Sequence, residues 1–232
     1  MTELYNLFPT PVIRVPATEE NYVPVQLEIK AAIEQIKKTK DSSSLTYMYK
    51  RTPETDIYEK TYDFLEKFNC VTLTRRIYNA VDEYVERIGW TSPRKFAIKG
   101  SWINIAEKGV NHSHHCHPGY LISGTYYFRV NEEQGSINFN NPNPLMMHGQ
   151  FPQGISCPQT VDIIPDDGDI ILFPSWLVHS TRKNKTSDDR ISVAFNIDYI
   201  GSSEVTIGLI KESHQPYART EHSLRSIVGR KL

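Results

Sequence analysis

The stretch Gly168–His179, GDIILFPSWLVH, decides the fold of this 232-residue chain. It opens at a turn, is apolar through Phe173 and is ended by Pro174, so we expect a buried strand that delivers His179 just beyond its end. Farther on, Arg190–Asp198 alternates large apolar residues with small or polar ones, which predicts a second strand with two different faces.

The second half of the chain is a series of short strands separated by turns. The predicted strands are Ala97–Ile105, Tyr120–Val130, Ser136–Phe139, Thr160–Ile164, Asp169–Phe173 and Arg190–Asp198. Many short strands with regular turn signals predict a sandwich or jelly roll and argue against a parallel sheet.

The first ninety residues have a mainly helical pattern, unlike the strands of the second half. Their pattern predicts an edge strand within Leu7–Val15, helices over Tyr22–Lys38, Tyr58–Lys67 and Thr72–Ile88, and a helix stop at Gly89. We expect these helices to buttress the β region. The predicted organisation is one integrated domain, with an N-terminal strand and supporting helices in 1–94, a β core in 95–200 and a C-terminal extension in 201–232.

Composition narrows the class of protein. Hydrophobic residues are 39% and charged residues 23%, which is ordinary for a globular domain and excludes a disordered or fibrous chain. A net charge of −1 argues against a nucleic-acid or membrane-surface binder. Cys70, Cys116 and Cys157 are odd in number and far apart, so we expect no disulfide framework and a reduced, cytoplasmic protein.

Histidine placement points to a metal site. Four of the eight histidines, His112, His114, His115 and His117, fall within six residues. On a strand, residues two apart share a face, so His115 and His117 can aim at one point while Cys116 faces away. Imidazole suits iron, zinc, copper and nickel. The alternative is a solvated loop that happens to be rich in histidine, and that is the role we expect for His112 and His114.

Arg190 and Ser192 share one face of the last strand. The planar guanidinium pairs with a carboxylate through two hydrogen bonds, and the hydroxyl adds a third. An inward-facing arginine in an apolar strand needs a partner, because burying an unpaired charge is costly. The alternatives are a surface charge at Arg190 and a satisfied core histidine at His179.

Together these features, over residues 99–198, resemble the 2-oxoglutarate and Fe(II)-dependent oxygenases. In that superfamily a paired motif and a distal histidine hold the iron, and an arginine followed at i+2 by serine holds 2-oxoglutarate. Gly109 precedes His115 as a glycine precedes the first ligand in prolyl-hydroxylase-like members, which favours His115 over its neighbours. The phrases Leu7–Val12, Leu121–Phe128 and Phe173–Trp176 resemble a poorly characterised branch of that kind found in marine bacteria and phages.

The resemblance implies a double-stranded β-helix and a dioxygenase, expected to be a hydroxylase, that uses Fe(II), 2-oxoglutarate and O2. It assigns His115, His117 and His179 to the metal, and Arg190, Ser192, Asn104 and one of Tyr126 or Tyr127 to the 2-oxoglutarate pocket. Strand alternation turns only one of the two tyrosines inward, and the resemblance favours Tyr127. The substrate is an unidentified small molecule or peptide, the compartment is the cytoplasm of a bacterium or a phage-infected host, and the edge strand is a candidate homodimer contact.

One position departs from the superfamily pattern. His117 stands where the usual 2-His-1-carboxylate triad has its acidic residue. Two alternatives therefore stay open: a cupin-like enzyme with a three-histidine metal and no 2-oxoglutarate, and an inactive metal- or ligand-binding jelly roll. The pair Arg190 and Ser192 favours the oxygenase, since a cupin needs no carboxylate clamp there.

Overall fold

The computed structural model of this chain describes residues 9–39, 46–47, 63–90, 95–143, 159–200 and 217–218. The helices are α1 (Glu19–Thr39), α2 (Phe64–Lys67) and α3 (Val71–Arg87), with a 3-10 turn at Glu132–Gln134. The strands are β1 (Ile13–Val15), β2 (Thr46–Tyr47), β3 (Lys95–Ala106), β4 (Ile122–Arg129), β5 (Ile137–Asn140), β6 (Thr160–Ile163), β7 (Ile170–Pro174), β8 (His179–Thr181), β9 (Arg190–Tyr199) and β10 (Tyr217–Ala218).

Two sheets form the core of the described chain. The larger sheet has the order β1-β7-β4-β9-β3-β10, with β2 added in parallel to β3, and the smaller has the order β6-β5-β8. The other pairings are antiparallel. Apolar side chains join the sheets, as where the rings of Phe139 on β5 and Phe173 on β7 lie 5.1 Å apart. This two-sheet arrangement confirms the predicted jelly roll.

Strand β9 shows how alternation positions the site. Its first eight residues are buried, and those on one face, Ile191, Val193, Phe195 and Ile197, belong to the cluster that packs against α1 and α3. Arg190, Ser192 and Ala194 on the other face line a cavity inside the jelly roll. The large apolar side chains of β9 thus pack toward α1 and α3, with Phe195 also reaching the cavity lining, while Arg190, Ser192 and Ala194 face the cavity.

The helix layer matches the prediction apart from its ends. Helix α3 spans nearly the predicted range, and Gly89 follows it in a left-handed conformation with φ of 71°. Helix α1 begins at Glu19, earlier than predicted, after a turn in which the Thr18 carbonyl accepts from the Tyr22 amide at 3.0 Å. The Glu28 carboxylate of α1 accepts from the first amides of α3, at 2.7 and 3.0 Å, and so joins the two helices.

Some predicted elements lie partly outside the described residues. The predicted helix Tyr58–Lys67 is represented by α2, since residues 58–62 are not described, and the predicted edge strand by β1, which lies at the edge of the larger sheet. The predicted C-terminal extension is outside the described residues except for β10. Among the helices of the described residues, none is both long and apolar enough to cross a bilayer.

Candidate metal centre and carboxylate pocket

Three imidazoles converge at one edge of the cavity. One ring nitrogen from each of His115, His117 and His179 lies within 4.8 Å of the other two. The ring centroid of His179 is 4.3 Å from that of His115 and 5.2 Å from that of His117. The structure therefore brings together the three histidines that the sequence singled out.

The main chain fixes this convergence. His115 and His179 exchange two backbone hydrogen bonds of 2.9 Å, and the His117 amide donates to the Ser175 carbonyl at 2.8 Å. The strand expected at His115 and His117 is instead a loop that forms a single bridge, between His115 and His179. His179 follows the end of β7 at Pro174, as predicted, and also begins the short strand β8, which was not predicted.

The protonation state of the rings suits metal binding. The Nδ1 atom of His115 lies 2.7 Å from the Ser113 carbonyl oxygen, and that of His179 lies 2.9 Å from the Leu177 carbonyl oxygen. A carbonyl oxygen accepts only from a protonated nitrogen, so in the neutral form of each ring the lone pair lies on Nε2. Burial, and then the neighbouring His115, lowers the pKa of His117 to about 4 and that of His179 to about 3.

The donor set fits a first-row divalent metal. Neutral imidazole is a ligand for Fe(II), Zn(II), Cu(II) and Ni(II), and aromatic side chains shield the rings. The Trp102 ring lies 5.7 Å from that of His117, and the Phe173 ring 4.6 Å from that of His179. Within the described part of the chain, this three-residue group contains imidazoles and no carboxylate.

The same cavity holds the predicted carboxylate-binding residues. Its lining includes Asn104, Tyr127, Arg190 and Ser192 together with the three imidazoles. Asn104 on β3 and Tyr127 on β4 both lie opposite Ser192 on the intervening strand β9, so these three residues sit side by side. The Oδ1 atom of Asn104 is buried and has no hydrogen-bond partner among the described residues.

Arg190 is a buried cation without an acidic partner among the described residues. It is 4% exposed, and burial lowers its pKa while the neighbouring Tyr127 opposes that shift. Its Nη1 donates to the carbonyls of Gln134, Gly135 and Arg182, at 2.9, 3.3 and 3.2 Å, and its Nη2 to the Thr181 hydroxyl at 2.9 Å. Dipoles hold the guanidinium in place without neutralising its charge.

The structure separates the two candidate tyrosines. Tyr127 lines the cavity, and burial raises the pKa of its phenol. Tyr126 faces the helix layer, where Gln26 donates to its hydroxyl at 3.1 Å and the Arg76 guanidinium lies 5.6 Å from its ring centroid. Only Tyr127 is therefore placed to meet a ligand in the cavity.

Sequence reasoning did not assign His112 and Thr181 to the cavity. His114 is exposed as expected, but the His112 ring stacks on that of His115 with a centroid distance of 3.9 Å and lines the cavity. Thr181 also lines it. Since Thr181 lies two residues after His179, strand alternation would have placed both on one face had β8 been predicted.

Comparison with known proteins supports the double-stranded β-helix fold. Residues 100–196 match the family described as "Putative 2OG-Fe(II) oxygenase". A search of curated protein sequences finds no match.

Similar solved structures share the architecture at low sequence identity. One is the non-heme alpha ketoglutarate dependent epimerase SnoN from nogalamycin biosynthesis, with TM-score 0.58, 15% identity and coverage of 91% of this chain and 93% of that one. The non-heme monooxygenase ThoJ has TM-score 0.58, 12% identity and coverage of 91% and 82%. HygX from Streptomyces hygroscopicus, with nickel and 2-oxoglutarate bound, has TM-score 0.50, 13% identity and coverage of 90% and 94%.

The three structures show the fold, and the family match shows a sequence similarity over the part of the chain that carries the site. Its double-stranded β-helix, its histidine cluster and its buried arginine all lie within or beside residues 100–196. The β core of this chain, residues 100–196, is thus similar to the family described as "Putative 2OG-Fe(II) oxygenase" and has the fold of the solved structures named above.

Proposed function

We propose that this chain is an Fe(II)- and 2-oxoglutarate-dependent dioxygenase that hydroxylates its substrate. The observation that carries the proposal is one cavity lined both by a cluster of three imidazoles and by a buried arginine with no acidic partner among the described residues. A metal-chelating dicarboxylate satisfies both features at once. The family match of residues 100–196 supports the same choice.

His115, His117 and His179 are the proposed metal ligands. Main-chain hydrogen bonds bring their rings together, and the carbonyls of Ser113 and Leu177 orient two of the three. Ligands that are ordered before the metal arrives lose little conformational freedom on binding it. When bound, Fe(II) would supply the oxidation of 2-oxoglutarate by O2 to succinate and CO2, with the second oxygen atom transferred to a substrate C–H bond.

Arg190, Ser192, Tyr127 and Asn104 are the proposed 2-oxoglutarate-binding residues. Arg190 supplies the positive charge for the far carboxylate, and the hydroxyls of Ser192 and Tyr127, on adjacent strands, are available as further donors. Asn104 lines the same cavity and would contribute through the NH2 group of its side-chain amide, because 2-oxoglutarate offers only hydrogen-bond acceptors. The rings of Trp102 and Phe173 limit the access of water to the histidines.

The decisive experiment combines metal analysis with an anaerobic titration. The metal content of untagged protein is measured first, and Fe(II) is then titrated in the presence of 2-oxoglutarate while the weak visible charge-transfer band is recorded. We expect a band that disappears in His179→Ala and Arg190→Ala. The control is Arg87→Ala, since Arg87 is an exposed arginine of α3 that pairs with Glu83 and should leave the band unchanged.

The all-imidazole ligand set favours one rival function, a three-histidine metalloprotein that does not use 2-oxoglutarate. In that case the protein would carry stoichiometric zinc and show no band at any 2-oxoglutarate concentration. That result would overturn the proposal, and it would assign the site to a cupin-like enzyme or to a binding module.

We also propose a reducing, cytoplasmic compartment. Cys70 and Cys116 are free thiols, and burial raises the pKa of Cys70 to about 12, which keeps it in the unreactive thiol form. The test is a thiol count under denaturing conditions on protein isolated without reductant, and a count below three would contradict this proposal.

A further inference from the structure

Thr181 occupies a place between the two halves of the cavity. It ends β8, two residues after the proposed ligand His179, and it lines the cavity together with Arg190. Its backbone amide donates to the His112 carbonyl at 3.1 Å, and the His112 ring stacks on that of the ligand His115. Thr181 therefore touches the arginine side of the pocket and the loop that carries the histidines.

The Thr181 hydroxyl already accepts two hydrogen bonds, so it can interact with a ligand only as a donor. Its Oγ1 accepts from the His112 amide at 2.8 Å and from Arg190 Nη2 at 2.9 Å. A threonine hydroxyl has two acceptor lone pairs and one donor proton, so both lone pairs are used by N–H groups. The remaining O–H can only donate, and in the described chain it has no acceptor.

The same accounting applies to Arg190. A guanidinium has five N–H groups. Those of Nη1 are directed at three carbonyl oxygens, and one of those on Nη2 is directed at Thr181. This leaves Nε–H and one N–H of Nη2, on neighbouring nitrogens, without a hydrogen-bond partner among the described residues. Two guanidinium donors and one hydroxyl donor thus remain open in a cavity that has a positive charge.

We propose that Thr181 is a co-substrate-binding residue whose hydroxyl donates directly to the carboxylate held by Arg190. The inference rests on the proposed function, and it adds to the pocket a residue that the arginine–serine motif does not contain. The two N–H donors hold the oxygen in place and occupy its lone pairs, so the proton is free to donate to a ligand.

The test compares two variants and two ligands. Thr181→Val keeps the shape of the side chain and removes the hydroxyl, and Thr181→Ser keeps the hydroxyl. The ligands are 2-oxoglutarate and 2-oxopentanoate, in which a methyl group replaces the far carboxylate, and their dissociation constants are measured anaerobically on the Fe(II)-loaded protein. We expect Thr181→Val to weaken 2-oxoglutarate roughly 10- to 100-fold, as for a hydrogen bond to a charged group. Thr181→Ser should restore most of the affinity for 2-oxoglutarate. The dissociation constant of 2-oxopentanoate should differ by less than about twofold between the variants and the unsubstituted protein.

A second background separates direct donation from an effect through Arg190. In Arg190→Lys protein, which keeps a positive charge for the carboxylate and so retains measurable affinity, Thr181→Val should still weaken the binding of 2-oxoglutarate several-fold, whereas a residue that only positions the Arg190 guanidinium would have no further effect. An unchanged dissociation constant for 2-oxoglutarate, or equal losses for both ligands, would overturn the inference while leaving the proposed function intact. Failure of the unsubstituted protein to bind 2-oxoglutarate would overturn both.

Discussion

His115 and His179 exchange two backbone hydrogen bonds of 2.9 Å, so the main chain fixes the distance between the residues that carry two of the three imidazoles. Each ring is then oriented by a carbonyl two residues earlier in the chain, that of Ser113 or Leu177. A centre built in this way has its ligands ordered as part of folding, which lowers the entropic cost of binding a metal.

The stabilisation of the fold by a bound metal should therefore require His179, which belongs to the histidine cluster, and not His114, which lies beside it. In His179→Ala we expect Fe(II) to lose its effect on the midpoint of thermal unfolding, because a ligand that binds only the folded state stabilises it by mass action. The measurement is thermal unfolding with and without Fe(II). His114→Ala is the matched control, since His114 is an exposed residue of the same loop and should keep the full shift. Equal shifts in the two variants would remove His179 from the metal site.

The two tyrosines offer a paired test of the pocket. Tyr127→Phe removes a hydroxyl from the cavity and should raise the dissociation constant of 2-oxoglutarate about 3- to 10-fold, the effect of one hydrogen bond. Tyr126→Phe removes a hydroxyl that binds Gln26 and should instead lower the free energy of unfolding by about 1 kcal/mol with ligand affinity unchanged. The two readouts are a ligand titration and a denaturant unfolding curve, and reversed results would place Tyr126 in the pocket.

Alternation made much of the fold and site predictable from the sequence. The residues of β9 divide between the helix layer and the cavity as the pattern of Arg190–Asp198 indicates, and that division brings Arg190 and Ser192 to one side. The periodicity of α3 and the glycine that follows it gave its bounds within one residue.

Other features depend on contacts that a local pattern does not contain. Strand β8 has three residues and exists through its pairing with β5, so no periodicity could reveal it. Because β8 was not predicted, Thr181 was not considered as a neighbour of His179. His112 is in the cavity because its amide and carbonyl pair with Thr181, a contact between residues 69 positions apart.

Gly135 should be needed to position the Arg190 guanidinium. It has φ of 94°, and a Cβ added there would lie 2.4 Å from the Arg182 carbonyl oxygen and 3.1 Å from Arg190 Nη1. We expect Gly135→Ala to lower the free energy of unfolding by about 1–3 kcal/mol and to weaken 2-oxoglutarate binding, because the backbone that holds the guanidinium must shift. Gly109→Ala isolates the cost of the backbone conformation, since Gly109 has φ of 83° and open space around its Cβ position.

Both variants are compared by chemical denaturation and by 2-oxoglutarate titration. Gly109→Ala should be destabilised by about 1 kcal/mol, the cost of the left-handed conformation, and should bind the ligand normally. If Gly135→Ala also bound 2-oxoglutarate normally, the carbonyls around Nη1 would not be what positions Arg190.

The variant His117→Asp tests whether the metal centre with three imidazole ligands is catalytically active. Three neutral imidazoles leave the full charge of Fe(II) to attract the dianionic 2-oxoglutarate, whereas a carboxylate at position 117 cancels one unit of it. We expect the unsubstituted protein to convert 2-oxoglutarate to succinate. Because the added carboxylate lowers the charge of the site, His117→Asp should bind 2-oxoglutarate several-fold more weakly. The aspartate also lacks the ring that lies 5.7 Å from Trp102, so it leaves space beside the metal site.

The assay measures succinate with Fe(II) and O2 present, alongside the dissociation constant of 2-oxoglutarate. His117→Ala is the control for loss of a ligand without added charge, and it should lose metal as well as turnover. An inactive unsubstituted protein and an active His117→Asp variant would mean that the missing carboxylate had silenced the site. The cavity would then be a binding pocket, because the residues that hold the carboxylate are present whether or not the metal centre turns over.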